Sequence, residues 1–304
     1  MEGYHKPVLL REVIDTLKVQ VGSWYLDCTL GDGGHALAII KSGGNIVGLD
    51  VDPEAIKRAR KRLHLTADRE QQFILVKGNF RDIKNLLEKQ TELKDQKFAG
   101  AIFDLGVSSL QLMSPERGFS FSWNGPLDMR MDPELKVRAL DLINVLTRKE
   151  LYELFSSLGE EKYSKRLADT LVSAREVRGD RLQSVGISNT TELAAVIEKV
   201  VGGRKGRIHP ATRVFQALRI AVNDELGALT EGLEAVKDLI EKNGHIIIIS
   251  FHSLEDRIAK NTFREWQKRG LGEILTRKPV IPSDQEILTN PRSRSAKMRV
   301  FMKT

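Results

Sequence analysis

The sequence predicts an α/β fold, in which a parallel sheet covered by helices on both faces is interrupted by a helical insertion. Three observations carry this. Short apolar strands alternate with helical segments in the first third of the chain. The strand signal then fades between about Gln111 and Arg207. The alternation resumes after Gly202-Gly203. Strands that are apolar along their whole length belong to sheets buried on both faces, which are parallel sheets. A chain of 304 residues is long enough for about two domains.

The elements follow in order. Trp24 to Cys28 is a strand that runs into a glycine-rich turn. Ile46 to Asp50, Phe73 to Val76 and Ala101 to Asp104 are the next three strands. The clearest helix starts at Asp52-Pro53, an Asp cap ahead of a proline whose fixed φ suits the first helical turn. Ser114 to Pro133 is irregular and carries Pro, Gly and aromatic residues. Amphipathic helical segments follow near Leu140–Leu146, Lys149–Leu158, Tyr163–Arg175 and Thr191–Val201, with Leu167, Leu171, Val172 and Ala174 on one face. Ala211 to Lys242 is helical, as two helices. His245 to Phe251 is an apolar strand, Ser253 to Lys268 a helix, and Lys297 to Met302 a final strand, while Arg269 to Arg294 is a loop or short strand. The expected division is a discontinuous core of 1–110 and 212–304, with 111–211 as an inserted helical, substrate-recognition domain.

Lys and Arg number 48 against 41 Asp and Glu, a net charge of +7. The excess is concentrated. Lys57 to Arg62, Arg204 to Arg213 and Arg292 to Lys303 hold five, four and five basic residues and no acid, which leaves the remainder at −7. Basic patches on an acidic background point to a polyanionic partner, although the first cluster also suits a solvated helix face. The single cysteine, Cys28, excludes an internal disulfide and cysteine-built zinc modules, and fits a reducing compartment. The N-terminal residues do not form a signal peptide. The apolar run Ile246 to Ile249 falls far short of the ~18 residues of a membrane span. A soluble, cytoplasmic protein without a membrane partner is expected.

The strongest local feature is Asp27-x-Thr29-x-Gly31-x-Gly33-Gly34-His35, directly after the first strand. Glycines there let the backbone turn sharply and approach a ligand. Asp50, at the end of the second strand, is placed to accept hydrogen bonds from a ribose diol. Two cofactors compete. Gly31-x-Gly33-x-x-Ala36 fits a dinucleotide fingerprint, which would mean NAD. S-adenosylmethionine also has a ribose but lacks a pyrophosphate, and the carboxylates of Asp27 and Asp32 beside the turn favour it. Asp104 ends the fourth strand, so Asp27, Asp50, Phe80 and Asp104 gather at the carboxyl edge of the sheet, where α/β ligands bind.

At this point the sequence resembles the bacterial 16S ribosomal RNA cytosine-N4 methyltransferases. The matching runs include His5-x-Pro7-Val8-Leu9-Leu10, the Asp27–His35 turn, Asp104 to Leu112, Glu116 to Phe121 and Gly125 to Asp132. His209 to Ala217, Ser250 to Arg257 and Asn290 to Arg292 extend them over nearly the whole chain. The resemblance implies a class I (Rossmann-like) S-adenosylmethionine-dependent methyltransferase sheet with an inserted helical domain. It implies 16S rRNA in the small ribosomal subunit as partner, rRNA processing as the role, and transfer to the N4 amine of a decoding-centre (P-site) cytidine, position 1402. Carried over by position, the cofactor contacts are Gly33, Gly34, His35, Asp50, Phe80, Asp104 and Gln111, with Asp50 on the ribose and Phe80 on the adenine. Oligomeric state stays open between monomer and homodimer.

The (D/N/S)-P-P-(Y/F) motif of many amino-group methyltransferases is replaced here by Asp104-Leu105-Gly106-Val107. Catalysis is therefore expected from Asp104, or from the backbone carbonyls of Leu105 to Ser108, as acceptor for the amine. Phe119, Phe121 and Trp123 are candidates either to stack on a flipped base or to anchor the insertion. The six histidines are scattered without an H-x-x-x-H pair, so no metal site is expected. His252-Ser253 superficially suggests a hydrolase. It lacks a nucleophile elbow, and Ser253 is expected to cap the following helix.

Overall fold

A computed structural model describes residues 4, 6–64, 72–176, 187–203 and 209–304. Arg204, Lys205 and Arg207 of the second basic cluster, and His5, lie outside the described residues. The chain divides into two compact units, Met1–Ser108 with Leu226–Thr304, and Ser109–Glu225.

The first unit opens with α1 (Leu10–Leu17), β1 (Trp24–Asp27), α2 (Gly34–Lys41), β2 (Asn45–Asp50), α3 (Pro53–His64), β3 (Phe73–Lys77), α4 (Ile83–Glu88) and β4 (Phe98–Asp104). The second unit holds α5 (Ser109–Met113), α6 (Ala139–Val145), α7 (Arg148–Ser157), α8 (Ser164–Glu176), α9 (Thr190–Val201) and α10 (Ala211–Asn223). The chain returns through α11 (Glu225–Leu239) to β5 (Ile240–Ser250), α12 (Ser253–Lys268), β6 (Gly272–Ile274), α13 (Asp284–Thr289) and β7 (Lys297–Lys303).

The seven strands form one sheet in the order β3-β2-β1-β4-β5-β7-β6. β1 to β5 are parallel, and β7 is antiparallel to both β5 and β6. Because every residue from Ile246 to Ile249 is buried, side chains from both faces of the central strand enter cores. Ile246 and Ile248 pack with Phe263, Trp266 and Phe301, while Ile247 and Ile249 pack with Val13, Ile39 and Met298. This two-sided burial is why the strands lack a polar alternation.

The second unit is helical around Leu151, Phe155, Leu167, Leu171, Leu193, Ile197, Phe215 and Leu218, all buried. α10 belongs to it and packs on α6, α7 and α9, whereas the sequence reading assigns residues from 212 onward to the core. Phe119 is buried, and Phe121 stacks on His209 at 4.5 Å and meets Phe215 edge-on at 5.1 Å. Two of the three aromatics thus hold the irregular segment in place, while Trp123 is 58% exposed.

Candidate active site

Strand order reverses beside β1, which has β2 on one side and β4 on the other. The carboxyl ends of β1 and β4 therefore bound the crevice at the switch point of the sheet. Asp27 ends β1, Asp50 ends β2 and Asp104 ends β4, so one edge gathers three carboxylates.

The turn between β1 and α2 is built on its glycines. Gly33 caps α2 with φ 79°, a left-handed conformation that is costly with a Cβ. At Gly34 a Cβ would stand 2.4 Å from Pro7 Cγ. Pro7 and the glycine turn are thus parts of one packing arrangement. The turn is pinned by the acids around it. Gly31 N donates to Asp50 Oδ2 at 2.8 Å, Asp52 N donates to Asp50 Oδ1 at 2.9 Å, and Asp104 N donates to Thr29 Oγ1 at 2.6 Å. Asp50 therefore fixes the loop in addition to facing the edge. Thr29 joins β1 to β4, a role that its place in the Asp27-x-Thr29 motif did not reveal.

His35, in the first turn of α2, is buried with its Nε2 3.4 Å from Asp104 Oδ2. Neither ring nitrogen nor Asp104 Oδ1 has a hydrogen-bond partner among the described residues. Burial disfavours the His35 imidazolium, but the carboxylates of Asp104 and Asp27 outweigh it and raise the His35 pKa. Burial pushes the carboxyls of Asp27 and Asp50 up to about 6 each.

Phe80 follows β3 in a 3-10 turn and stands edge-on to Phe103, with ring centres 5.4 Å apart. Gly232 on α11 makes room for it, since a Cβ there would lie 2.5 Å from Phe80 Cδ2. Gly33, Gly34, His35, Asp50, Phe80 and Asp104 thus share the carboxyl edge of the first unit. Gln111 lies on α5 of the second unit, buried.

Two details correct the sequence reading. Asp32 does not face the crevice as a free charge, because Arg62 Nη1 lies 2.8 Å from its Oδ1 and Arg58 is 3.9 Å away. Both guanidiniums also cover the Tyr4 ring, at 4.8 and 5.3 Å, so the first basic cluster is partly turned inward. His252, rather than Ser253, caps α12. Glu255 is the third residue of that helix, and its Oε2 accepts from the amides of Phe251 and His252 at 2.8 and 3.3 Å.

An unpaired carboxylate oxygen and further buried acids suit a ligand that carries positive charge and hydrogen-bond donors. A pyrophosphate would meet repulsion from Asp27 and Asp104 at this crevice. The donor set therefore fits S-adenosylmethionine and disfavours NAD.

The strand order, the antiparallel β7 and this edge define the sheet of a class I methyltransferase. A family model described as the MraW methylase family matches residues 2–304, and the chain belongs to that family. It is a methyltransferase with S-adenosylmethionine as its cofactor. Relatives share its full length. "Ribosomal RNA small subunit methyltransferase H" of Carboxydothermus hydrogenoformans is 42% identical over 320 residues, covering 100% of this chain and 99% of the relative. Proteins of the same name from Sulfurihydrogenibium sp. and Persephonella marina are each 44% identical, covering 97% of this chain and 98% of theirs.

Proposed function

We propose that this chain methylates 16S ribosomal RNA of the small ribosomal subunit, at the exocyclic N4 amine of the decoding-centre cytidine 1402. The observation that carries the reading is the end-to-end similarity to relatives named for ribosomal RNA small subunit methylation. The match of motif runs to the cytosine-N4 enzymes supplies the finer position.

Bound S-adenosylmethionine supplies an electrophilic methyl group on a sulfonium. Gly33, Gly34, His35, Asp50, Phe80 and Asp104 would hold it at the sheet edge, with Gln111 added by resemblance. The cytosine amine is a weak nucleophile because its lone pair is delocalised into the ring. Asp104 Oδ1, buried and unpaired, accepts a hydrogen bond from that amine and receives its proton as the nitrogen becomes tetrahedral. His35 beside Oδ2 keeps the carboxylate oriented. The inserted helical unit serves RNA recognition.

Transfer of labelled methyl groups tests this directly, with assembled small subunits and naked 16S rRNA as acceptors and the modified nucleoside identified after digestion. N4-methylcytidine at one position is the expected product. Label in another nucleoside, or in neither substrate, overturns the assignment.

A further inference from the structure

A cavity of about 330 Å³ opens at the same sheet edge, beyond the strands that carry the three carboxylates. Ser250 at the end of β5 pairs with Lys297 at the start of β7. Since β7 is antiparallel, its first residue lies on the edge that Asp104 occupies. Phe251, Ile281, Pro282 and Ile287 form an apolar wall, and Arg294 and Lys297 a basic one. The cavity adjoins the turn after β4, because a Cβ built on Gly106 would touch Phe251 Cδ2 at 3.5 Å.

The lining of this cavity holds two cations, Arg294 and Lys297, and no acid, and the acids nearby are already engaged. Asp256 is taken by Arg299, at 2.6 and 3.2 Å, with Lys297 3.7 Å away. Glu255 accepts two backbone amides, and Glu286 accepts the amide of Leu9 at 2.8 Å. Arg294 is exposed and has no ion-pair partner among the described residues. Ile281, which lines the same cavity, is an apolar side chain left 65% exposed. A nucleotide answers both walls at once, with a flat base for the apolar one and a phosphate for the cations. A bare phosphate would leave the apolar wall uncovered, and an apolar peptide would leave Arg294 unanswered.

We propose that this cavity is a subsite for one nucleotide of the RNA strand adjoining the methylated base. Its base rests on Phe251, Ile281, Pro282 and Ile287, and its phosphate on Arg294 and Lys297. β7 lies two strand spacings, about 10 Å, from β4. That distance is too long for the reacting amine and suits a neighbouring nucleotide. The inference rests on the RNA-methyltransferase reading above.

The test uses the full chain with two substitutions at exposed positions, Arg294→Ala and Ser295→Phe. Arg294→Ala removes one phosphate contact. It is expected to raise the KM for RNA about tenfold and to reduce the salt slope of RNA binding by about 0.7. Ser295→Phe fills the cavity without changing charge, so affinity for RNA falls while the salt slope stays. S-adenosylmethionine affinity is unchanged in both. Wild-type KM and salt slope in both variants overturn the subsite while leaving the methyltransferase reading intact. If wild type binds S-adenosylmethionine yet labels protein and not RNA, the RNA reading fails and the subsite with it.

Discussion

Asp27 shows how one residue couples the cofactor edge to stability. Its carboxyl, like that of Asp50, has a pKa of about 6 in the folded chain because burial disfavours the anion. The native state therefore holds protons that the unfolded state has released between about pH 4 and 6, and stability falls as pH rises through that window. His35, raised in pKa, acts in the same direction above its unfolded value. His245, lowered by burial, opposes it. Asp128 and Asp256, both lowered despite burial by their arginine partners, lose their contribution only below about pH 4. The protein without cofactor should thus resist urea better at pH 5 than at pH 7.5. Asp27→Asn should shrink that difference by about 1.4 kcal/mol. An unchanged difference in the variant would remove Asp27 from the account. Asp104→Asn separates two roles at the same edge. If Oδ1 takes the amine proton, kcat falls by about 10²–10⁴-fold at saturating S-adenosylmethionine. Lost cofactor affinity with normal turnover would make Asp104 a binding residue only.

Between elements, close packing decides what moves. α11 passes so near the turn after β3 that Gly232 leaves no room for a methyl group beside Phe80. Gly232→Ala should displace the ring, lower stability by about 1–3 kcal/mol and weaken S-adenosylmethionine binding about tenfold. In a Phe80→Leu background the same change should cost little, and additive losses would show that the two residues do not act together. The sequence made the strand-end acids legible, because a buried parallel strand announces itself by unbroken apolar residues and its last polar residue marks the edge. Element ends were less legible. β5 begins at Ile240 rather than His245, since Phe98 pairs with Ile240 and Gly100 with His245, so that the residues between loop out around Asn243 with φ 65°. α13 was missed although Ser283 accepts from Glu286 N at 3.2 Å as its cap, because six residues give no helical periodicity. His252 took the capping place expected of Ser253 because Glu255, not Asp256, is the acid that reaches back to the backbone.

For the whole molecule, net charge is a poor guide until partners are assigned. Of the five cations between Lys57 and Arg62, Arg58 and Arg62 are drawn inward by Asp32 and Tyr4. Of the five between Arg292 and Lys303, Arg299 is held by Asp256, and Lys303 donates to the carbonyls of Lys237 and Ile240. Charge that answers an internal acid releases no counterions when RNA binds, so the salt dependence should reflect the free cations and not the formal +7. With about four phosphates neutralised on single-stranded RNA, raising salt from 50 to 200 mM should weaken binding about 50-fold. Cofactor affinity, set by buried acids, should change little over the same range. Arg62→Gln should leave the RNA salt slope as it is while loosening the turn that Asp32 anchors. Arg292→Gln should lower the slope by about 0.7 and leave cofactor binding alone. Fluorescence anisotropy of labelled RNA across a salt series, paired with calorimetric titration of S-adenosylmethionine, reads both effects. A slope that fell equally for the two arginines would mean that the inward ion pair opens on RNA binding, and that the basic helix α3 is part of the RNA surface after all.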